Sequence, residues 1–362
     1  MTFLPRWVTL LALASAALFS AAAADFENLS RRANEARDAN RLQEAEQLYR
    51  EALAIKPEWW EGWWYLGTLL YDQDRYTDAA PAFAKAAALN PKSGSAFVML
   101  GLCDYQLGRY DDALAHIRDG RRLGVPSDPQ FQRVMNFHEG LALLEKSQFD
   151  PAAQVLFRLV QDGVESDDLT RALGMAAMRV RPSELRHDAE RNIVIPAVGA
   201  AERLVAVKKF DQAVAAYQQL VNAHPRVAGL HYAYGICLLA AHMDERAVPV
   251  FQQEVEIAPD HVLARLRIAS LKYRTDPASA LPYVEQAVKL DNRIPLGHYL
   301  SGLILLDLNR AREAVPHLEM ARKAEPKEAQ ILFALGRAYA AVGRKQDAAN
   351  ARAEFQRLKA GK

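Results

Sequence analysis

Cysteine is nearly absent: Cys103 and Cys237 are the only two in 362 residues. So few cysteines exclude a disulfide-stapled scaffold and a cysteine-rich zinc module. An excess of one charge is also missing. Lysine and arginine total 45 against 44 acids, so no large single-sign field is available for a nucleic-acid partner. Runs of β-branched residues are few while alanine is abundant, which favours helix almost everywhere. The chain has no Gly-rich phosphate loop, no H-E-x-x-H, no G-x-S-x-G and no C-x-x-C, the short motifs that would announce common catalytic chemistries. After residue 24 no stretch approaches 18 continuous apolar residues, so the mature chain is expected to be soluble.

Acidic residues are wholly missing from the first 24 positions. "MTFLPRWVTLLALASAALFSAAAA" carries one Arg6, then an apolar run from Trp7, and ends in Ala22-Ala23-Ala24 before Asp25. These features read as a secretory signal cleaved after Ala24. The alternatives are an uncleaved anchor in the inner membrane and a first helix of the fold. No cysteine lies near the cut, which argues against a lipoprotein.

What is present is a period. Trp63-x-x-Leu66-Gly67-x-x-Leu70 is followed by Ala79-x-x-x-Phe83 and Pro91. One step on, Phe97, Leu100, Gly101 and Ala113 take the same places; one step back, Leu29, Ala33, Ala45, Tyr49, Ala52 and Pro57 do so. In the second half, Ala213, Ala247, Ala280, Ala314 and Ala348 are spaced 34, 33, 34 and 34 apart. Gly235, Ala269, Gly302 and Gly336 keep that step, with Pro225, Pro259, Asn292 and Pro326 closing units. Each unit predicts a helix with an apolar face, a short turn, and a second helix ended by Pro or Asn. A small residue lets the two backbones approach, and a large side chain fills the wedge. One such hairpin cannot bury its apolar face alone, so neighbours must stack.

At these residues the chain resembles the tetratricopeptide repeat family, over roughly Phe26 to Pro126 and Val194 to the C-terminus. A weaker unit runs from about Arg133 to Gln161. The expected architecture is an all-α solenoid of about eight to ten stacked antiparallel helix pairs in a right-handed superhelix, preceded by the signal helix. The expected organisation is a signal peptide at 1–24, an N-terminal block at 25–166, a degenerate repeat or connector at 167–193, and a C-terminal block at 194–362. In the connector, Leu173-Gly174 looks like a first helix and Arg181-Pro182 breaks the pattern early. In the last unit Arg352 stands where Phe83 stands in the tryptophan unit.

The remaining polar features carry little chemistry. "HDAE" at His187 to Glu190 has no second ligand at helical spacing and reads as a solvated helix face. "DQD" at Asp72 to Asp74 reads as a turn. No catalytic, cofactor or metal residue is assigned. Cys103 and Cys237 each lie two residues after the glycine of their unit, on rungs too far apart to bond; both are expected to be free, inert thiols.

Four tryptophans lie together at Trp59, Trp60, Trp63 and Trp64, leaving only Trp7 elsewhere. At about 100° per residue, Trp63, Leu66 and Leu70 point into the stack; Trp60, Trp64 and Tyr71 form a second stripe. The resemblance implies that the residue after the packing tryptophan lines the inner, concave groove. Its equivalents are Val98, Phe137, Val198, Tyr232, Leu266, Tyr299 and Phe333. Seven residues further on come Tyr71, Tyr105, Leu144, Val205, Leu239, Tyr273 and Leu306. The groove set is therefore Trp60, Trp64, Tyr71, Tyr105, Phe137, Tyr232, Tyr273, Tyr299 and Phe333. It lacks the lysine and asparagine pairs that some family members use to clamp a peptide's terminal carboxylate. A hydrophobic or aromatic-rich protein segment suits such a groove. The functional expectation is a non-enzymatic, exported interaction scaffold, periplasmic or secreted, needing no cofactor. Glycan or cell-wall binding, or regulation of an envelope enzyme, are the alternatives. Any membrane contact would run through an uncleaved signal alone.

Overall fold

The computed structural model describes residues 23–185 and 187–361. The expected signal segment lies outside these residues, apart from Ala23 and Ala24 at the start of the first helix. All regular structure among the described residues is helical, and none of these helices is long and apolar enough to cross a membrane. The chain forms two compact units. One runs up to Val164 and includes Arg181–Ser183; the other holds Glu165–Val180 and everything from Glu184 on.

The first unit contains α1 (residues 23–38), α2 (Leu42–Ile55), α3 (Trp60–Tyr71), α4 (Tyr76–Leu89), α5 (Gly94–Gln106), α6 (Tyr110–Leu123), α7 (Pro129–Glu145) and α8 (Phe149–Gln161). The short α10 (Pro182–Leu185) has residues in both units. The second unit contains α9 (Asp167–Met178), α11 (Ala189–Ala206), α12 (Phe210–Ala223), α13 (Leu230–Ala240), α14 (Asp244–Ile257), α15 (Val262–Tyr273), α16 (Pro277–Leu290), α17 (Pro295–Asp307), α18 (Ala311–Ala324), α19 (Ala329–Ala341) and α20 (Lys345–Ala360). The helices pair as hairpins, α1 with α2 through α7 with α8 and α11 with α12 through α19 with α20. Within each unit, successive hairpins pack on one another. This is the all-α stack of helix pairs that the period predicts.

The wedge inside each hairpin is the one read from the pattern. A Cβ on Gly67 would sit 2.9 Å from the Phe83 ring; the same glycine place faces Ile117 at Gly101, Leu156 at Gly140, Phe251 at Gly235 and Leu318 at Gly302. Phe83, Ile117, Leu156, Phe251 and Leu318 are fully buried. In the last hairpin Gly336 faces the stem of Arg352, which is exposed.

The turns share a backbone conformation rather than a residue type. Asn40, Asp74, Gly108, Ser147, Lys208, His242, Asn309 and Gly343 all have φ between 55° and 79° and all stand between the two helices of a hairpin. The turn from α15 to α16 instead uses the Asp276 carboxylate, which accepts from Ser279 N–H at 3.1 Å, followed by Pro277.

The segment expected as a connector contains a full helix. α9 is capped by the Ser166 hydroxyl, which accepts from Leu169 N–H at 3.0 Å. It packs on α11, the first helix of the following hairpin, with no side chain between them at the crossing. A Cβ on Gly174 would strike the Ile195 carbonyl, and one on Gly199 the Thr170 carbonyl.

Cys103 and Cys237 are both buried and unbonded. Burial pushes each thiol up to about 12, so neither is a thiolate near neutral pH, and thiolate is the reactive form. Denaturing thiol titration without reductant is expected to find both thiols in each chain. Native protein should react far more slowly than a small free thiol. A denatured chain with no free thiol overturns the assignment.

The second unit also buries an acid. The Tyr217 hydroxyl donates to Glu202 Oε1 at 2.5 Å; its counterpart Tyr49 donates to Asn34 Oδ1 at 2.7 Å, across the same sequence separation of 15. A carboxyl thus occupies the place where the first unit has a neutral amide. Burial raises Glu202 to about 7, against a small downward pull from the tyrosine hydrogen bond. Because the folded value lies above the unfolded one, the group's contribution is fully favourable below about pH 4.5 and is lost as pH rises towards 7. The loss amounts to about 3 kcal/mol at most. Buried histidines such as His261, held near 4, slope the other way, so the measurement must be a difference. Comparing wild type with Glu202→Gln by denaturant melts, the variant should gain relative stability on going from about pH 4.5 to about pH 7.5. A difference independent of pH overturns the assignment.

Candidate functional site

In the first unit, the aromatic residues of α3, α5 and α7 stand half-exposed on one stripe. α3 presents Trp60, Trp64 and Tyr71, α5 presents Tyr105, and α7 presents Phe137. The rings are tied to neighbours. Tyr71 meets Tyr76 edge-on at 5.2 Å between centroids, and Tyr105 lies 5.8 Å from Tyr110. Tyr105 also meets His138 edge-on at 5.3 Å, and Phe137 lies 5.9 Å from the same imidazole. His138 Nδ1–H donates to the Val134 carbonyl at 2.8 Å, and burial lowers its pKa. The ring is therefore neutral near pH 7, and its contribution here is aromatic surface rather than charge.

Several charges beside the stripe are paired within the fold. The buried Asp104 carboxylate accepts from Arg109 at 2.6 Å and His116 Nδ1 at 2.7 Å. Arg121 of α6 pairs with Glu139 of α7 and also donates to Asn136 at 2.9 Å. The stripe thus offers ring faces and edges beside these paired charges. It can hold an apolar or aromatic chain segment; it displays no nucleophile with an adjacent base.

The tryptophan cluster does not divide as its helical angles predict. Trp63 was expected in the core, yet it is only half-buried; its Nε1–H donates to the Pro57 carbonyl at 2.8 Å. Trp64 is half-buried too and sets its edge on Phe83 at 5.5 Å. Both indoles pack against the same Ala86, Ala87 and Ala96 cluster. Trp59, just before α3, lies between Phe26 at 5.2 Å and Tyr49 at 5.9 Å and covers Gly62. Trp64 therefore straddles the hairpin wedge and the stripe.

Several predicted groove positions are buried. Tyr232 is 3 % exposed, between Phe251 and the His261 imidazole, whose centroid lies 4.7 Å away. His261 Nδ1 caps α15 by accepting from Ala264 N–H, so the start of the next repeat closes over Tyr232. Val98, Val198, Leu266, Leu144 and Leu306 are buried as well. Val98 belongs to a cluster with Leu102, Ile117 and Met135, the last supplied by the following hairpin. These places are repeat-to-repeat core rather than open groove. Tyr273 and Tyr299 are half-buried against the core of the second unit. The Tyr273 hydroxyl donates to Asp307 at 2.6 Å, and Asp307 also accepts from Arg337 at 2.9 Å. Phe333 is half-exposed and meets Phe355 of α20 at 5.5 Å. The aromatic set is therefore most continuous in the first unit.

No cluster of three or more His, Cys, Asp or Glu side chains among the described residues is arranged to hold a metal. Asp188 of the "HDAE" stretch caps α11 by accepting from Arg191 N–H at 2.9 Å. Asp74 of "DQD" has φ 58° in a hairpin turn, where it accepts from the Tyr76 hydroxyl.

A segment of 141 residues, 39% of this chain, is 23% identical to anaphase-promoting complex subunit 3 of Schizosaccharomyces pombe and covers 21% of that protein. A solved structure of MamA is 17% identical, with a TM-score of 0.42 over 44% of this chain and 95% of that one. YrrB, described as a tetratricopeptide repeat protein with an unusual peptide-binding site, is 18% identical, with a TM-score of 0.42 over 47% of this chain and 92% of that one. The tetratricopeptide repeat model matches residues 30–93, 66–130, 198–262 and 299–360, more than half of the sequence. With that coverage, and with nine hairpins among the described residues, the chain belongs to the tetratricopeptide repeat family.

Proposed function

We propose that this chain is a non-enzymatic scaffold that is exported to the cell envelope and holds a hydrophobic or aromatic-rich segment of a partner protein. Tetratricopeptide repeat proteins generally mediate protein–protein interactions. The observation that carries the finer reading is the half-exposed aromatic stripe of α3, α5 and α7, with Tyr71, Tyr105 and Phe137 braced by neighbouring rings. Braced rings lose little side-chain freedom on binding, which favours them as anchors. Export is supported by the acid-free apolar start and Ala22-Ala23-Ala24.

Capture from an envelope extract, with binding to purified peptidoglycan as the competing assay, tests the binding reading. Tyr105→Ala should weaken capture of an identified protein partner by about tenfold or more and shift the denaturant midpoint little. Phe83→Ala, which empties the wedge under Trp64, should instead cost roughly 3–5 kcal/mol of stability. Undiminished capture by Tyr105→Ala and Phe137→Ala, or binding to peptidoglycan in place of protein, removes the proposed site.

The export reading is checked by intact mass. Protein recovered from an envelope fraction should begin at Asp25. Full-length chain in the cytosol is the contrary result.

A further inference from the structure

Two cavities in the second unit are built from the same places in the repeat. The larger, of about 540 Å³, is lined by Pro225, Arg226, His231, Gln253, Glu256 and Ile257. The other, of about 330 Å³, lies two repeats further on, where Arg293 and His298 hold the places of Arg226 and His231. The smaller cavity satisfies its own donors. His298 Nε2–H donates to the Asn292 carbonyl at 2.8 Å, which leaves Nδ1 to accept from His317 Nδ1–H at 3.1 Å. Arg293 donates to both oxygens of Asp291, at 3.0 and 3.1 Å.

In the larger cavity both of those partners are replaced. Val250 stands where the other has His317, and His224 stands where it has Asp291. His231 is 4 % exposed, yet its Nδ1 has no hydrogen-bond partner among the described residues. That nitrogen is closed off from solvent, so the ring meets a ligand in the cavity through its Nε2 edge. Arg226 and Glu256 line the open side of this cavity as exposed side chains with no ion pair among the described residues, so both heads are free to turn toward a ligand. Burial lowers the His231 pKa, so the ring is neutral near pH 7 and one nitrogen can donate. An adjoining space of about 230 Å³ shares Pro225 and Arg226 and leads to Ile193, which is 69 % exposed.

We infer that the cavity at Arg226 and His231 binds an α-carboxylate whose α-carbon also carries a nitrogen donor, the chemistry shared by a free amino acid and the last residue of a peptide. The carboxylate meets the Arg226 guanidinium and the His231 imidazole, forming charge-assisted hydrogen bonds about twice as strong as neutral ones. The nitrogen donor meets Glu256 and Gln253. Glu256 disfavours a dianion such as phosphate, because like charges this close repel. Pro225 and Ile257 give apolar surface to the ligand's side chain. The volume lies within the range of small-ligand sites.

The test uses the full chain with nitrogen-15 histidine and follows the His231 ring signals, identified by their loss in His231→Gln. The probes are L-leucine, N-acetyl-L-leucine and L-leucinamide. A carboxylate probe should shift the His231 signals saturably, and leucinamide should not. Arg226→Gln should raise the dissociation constant by about tenfold or more, while Arg293→Gln leaves it unchanged. Binding of L-leucine alone identifies a free amino acid as the ligand; binding of N-acetyl-L-leucine identifies a peptide terminus, and either supports the site. The inference is overturned if neither carboxylate shifts the ring, if leucinamide acts equally, or if Arg226→Gln and Arg293→Gln have the same effect.

Discussion

The contact on which the structure depends is the approach of two helix backbones inside the hairpins, which in five of them is made by glycine on one helix facing a large apolar side chain on the other. Gly67 against Phe83 and Gly235 against Phe251 are the plainest examples. Burying a phenylalanine stabilises by about 1.5–3 kcal/mol, and packing it against backbone leaves little tolerance for a shift. Once that distance is set, the outward faces of a hairpin are apolar strips that need another hairpin. The array follows from repetition of one short-range contact, with stability passed between neighbours.

The same logic sorts the positions that follow the packing residue. Where a repeat carries Val98, Leu266 or Val198 at the place after the packing position, the next hairpin closes over it. Where it carries Trp64 or Phe137, the ring is too large to be covered completely and stays half-exposed. The aromatic stripe is thus a by-product of side chains larger than the space between repeats. In the second unit Tyr232 escapes this outcome because His261 lies across its ring.

The fold was largely legible in the sequence because its determinants are residue types at fixed steps: a small residue, a large one, a helix stop. The site was legible only in part. Helical angles place Trp63 inside and Trp64 outside, but exposure also depends on the neighbouring repeat, and both indoles rest on Ala86, Ala87 and Ala96. Tyr232 looked like a groove residue because angle alone cannot foresee a histidine cap from the following hairpin. The packing of α9 on α11 joins Gly174 to Gly199, a crossing outside the repeat step and therefore invisible to a search by period. Glu202 went unnoticed for the opposite reason. It sits squarely in the repeat, at the place of Asn34, and only its burial separates a carboxyl from an amide.

The hairpin turns hold a left-handed backbone at Asn40, Asp74, Ser147, Lys208, His242 and Asn309, with glycine at Gly108 and Gly343. For residues with a Cβ this conformation costs on the order of 1 kcal/mol. The chain accepts that cost with lysine as readily as with asparagine, because the packed helices on either side dictate the turn. The tips are therefore spectators of the fold. Their side chains can be exchanged for a fluorophore, an affinity handle or a spin label, giving within each unit a ruler with one mark for each of these repeats whose spacing is set by the helices beneath.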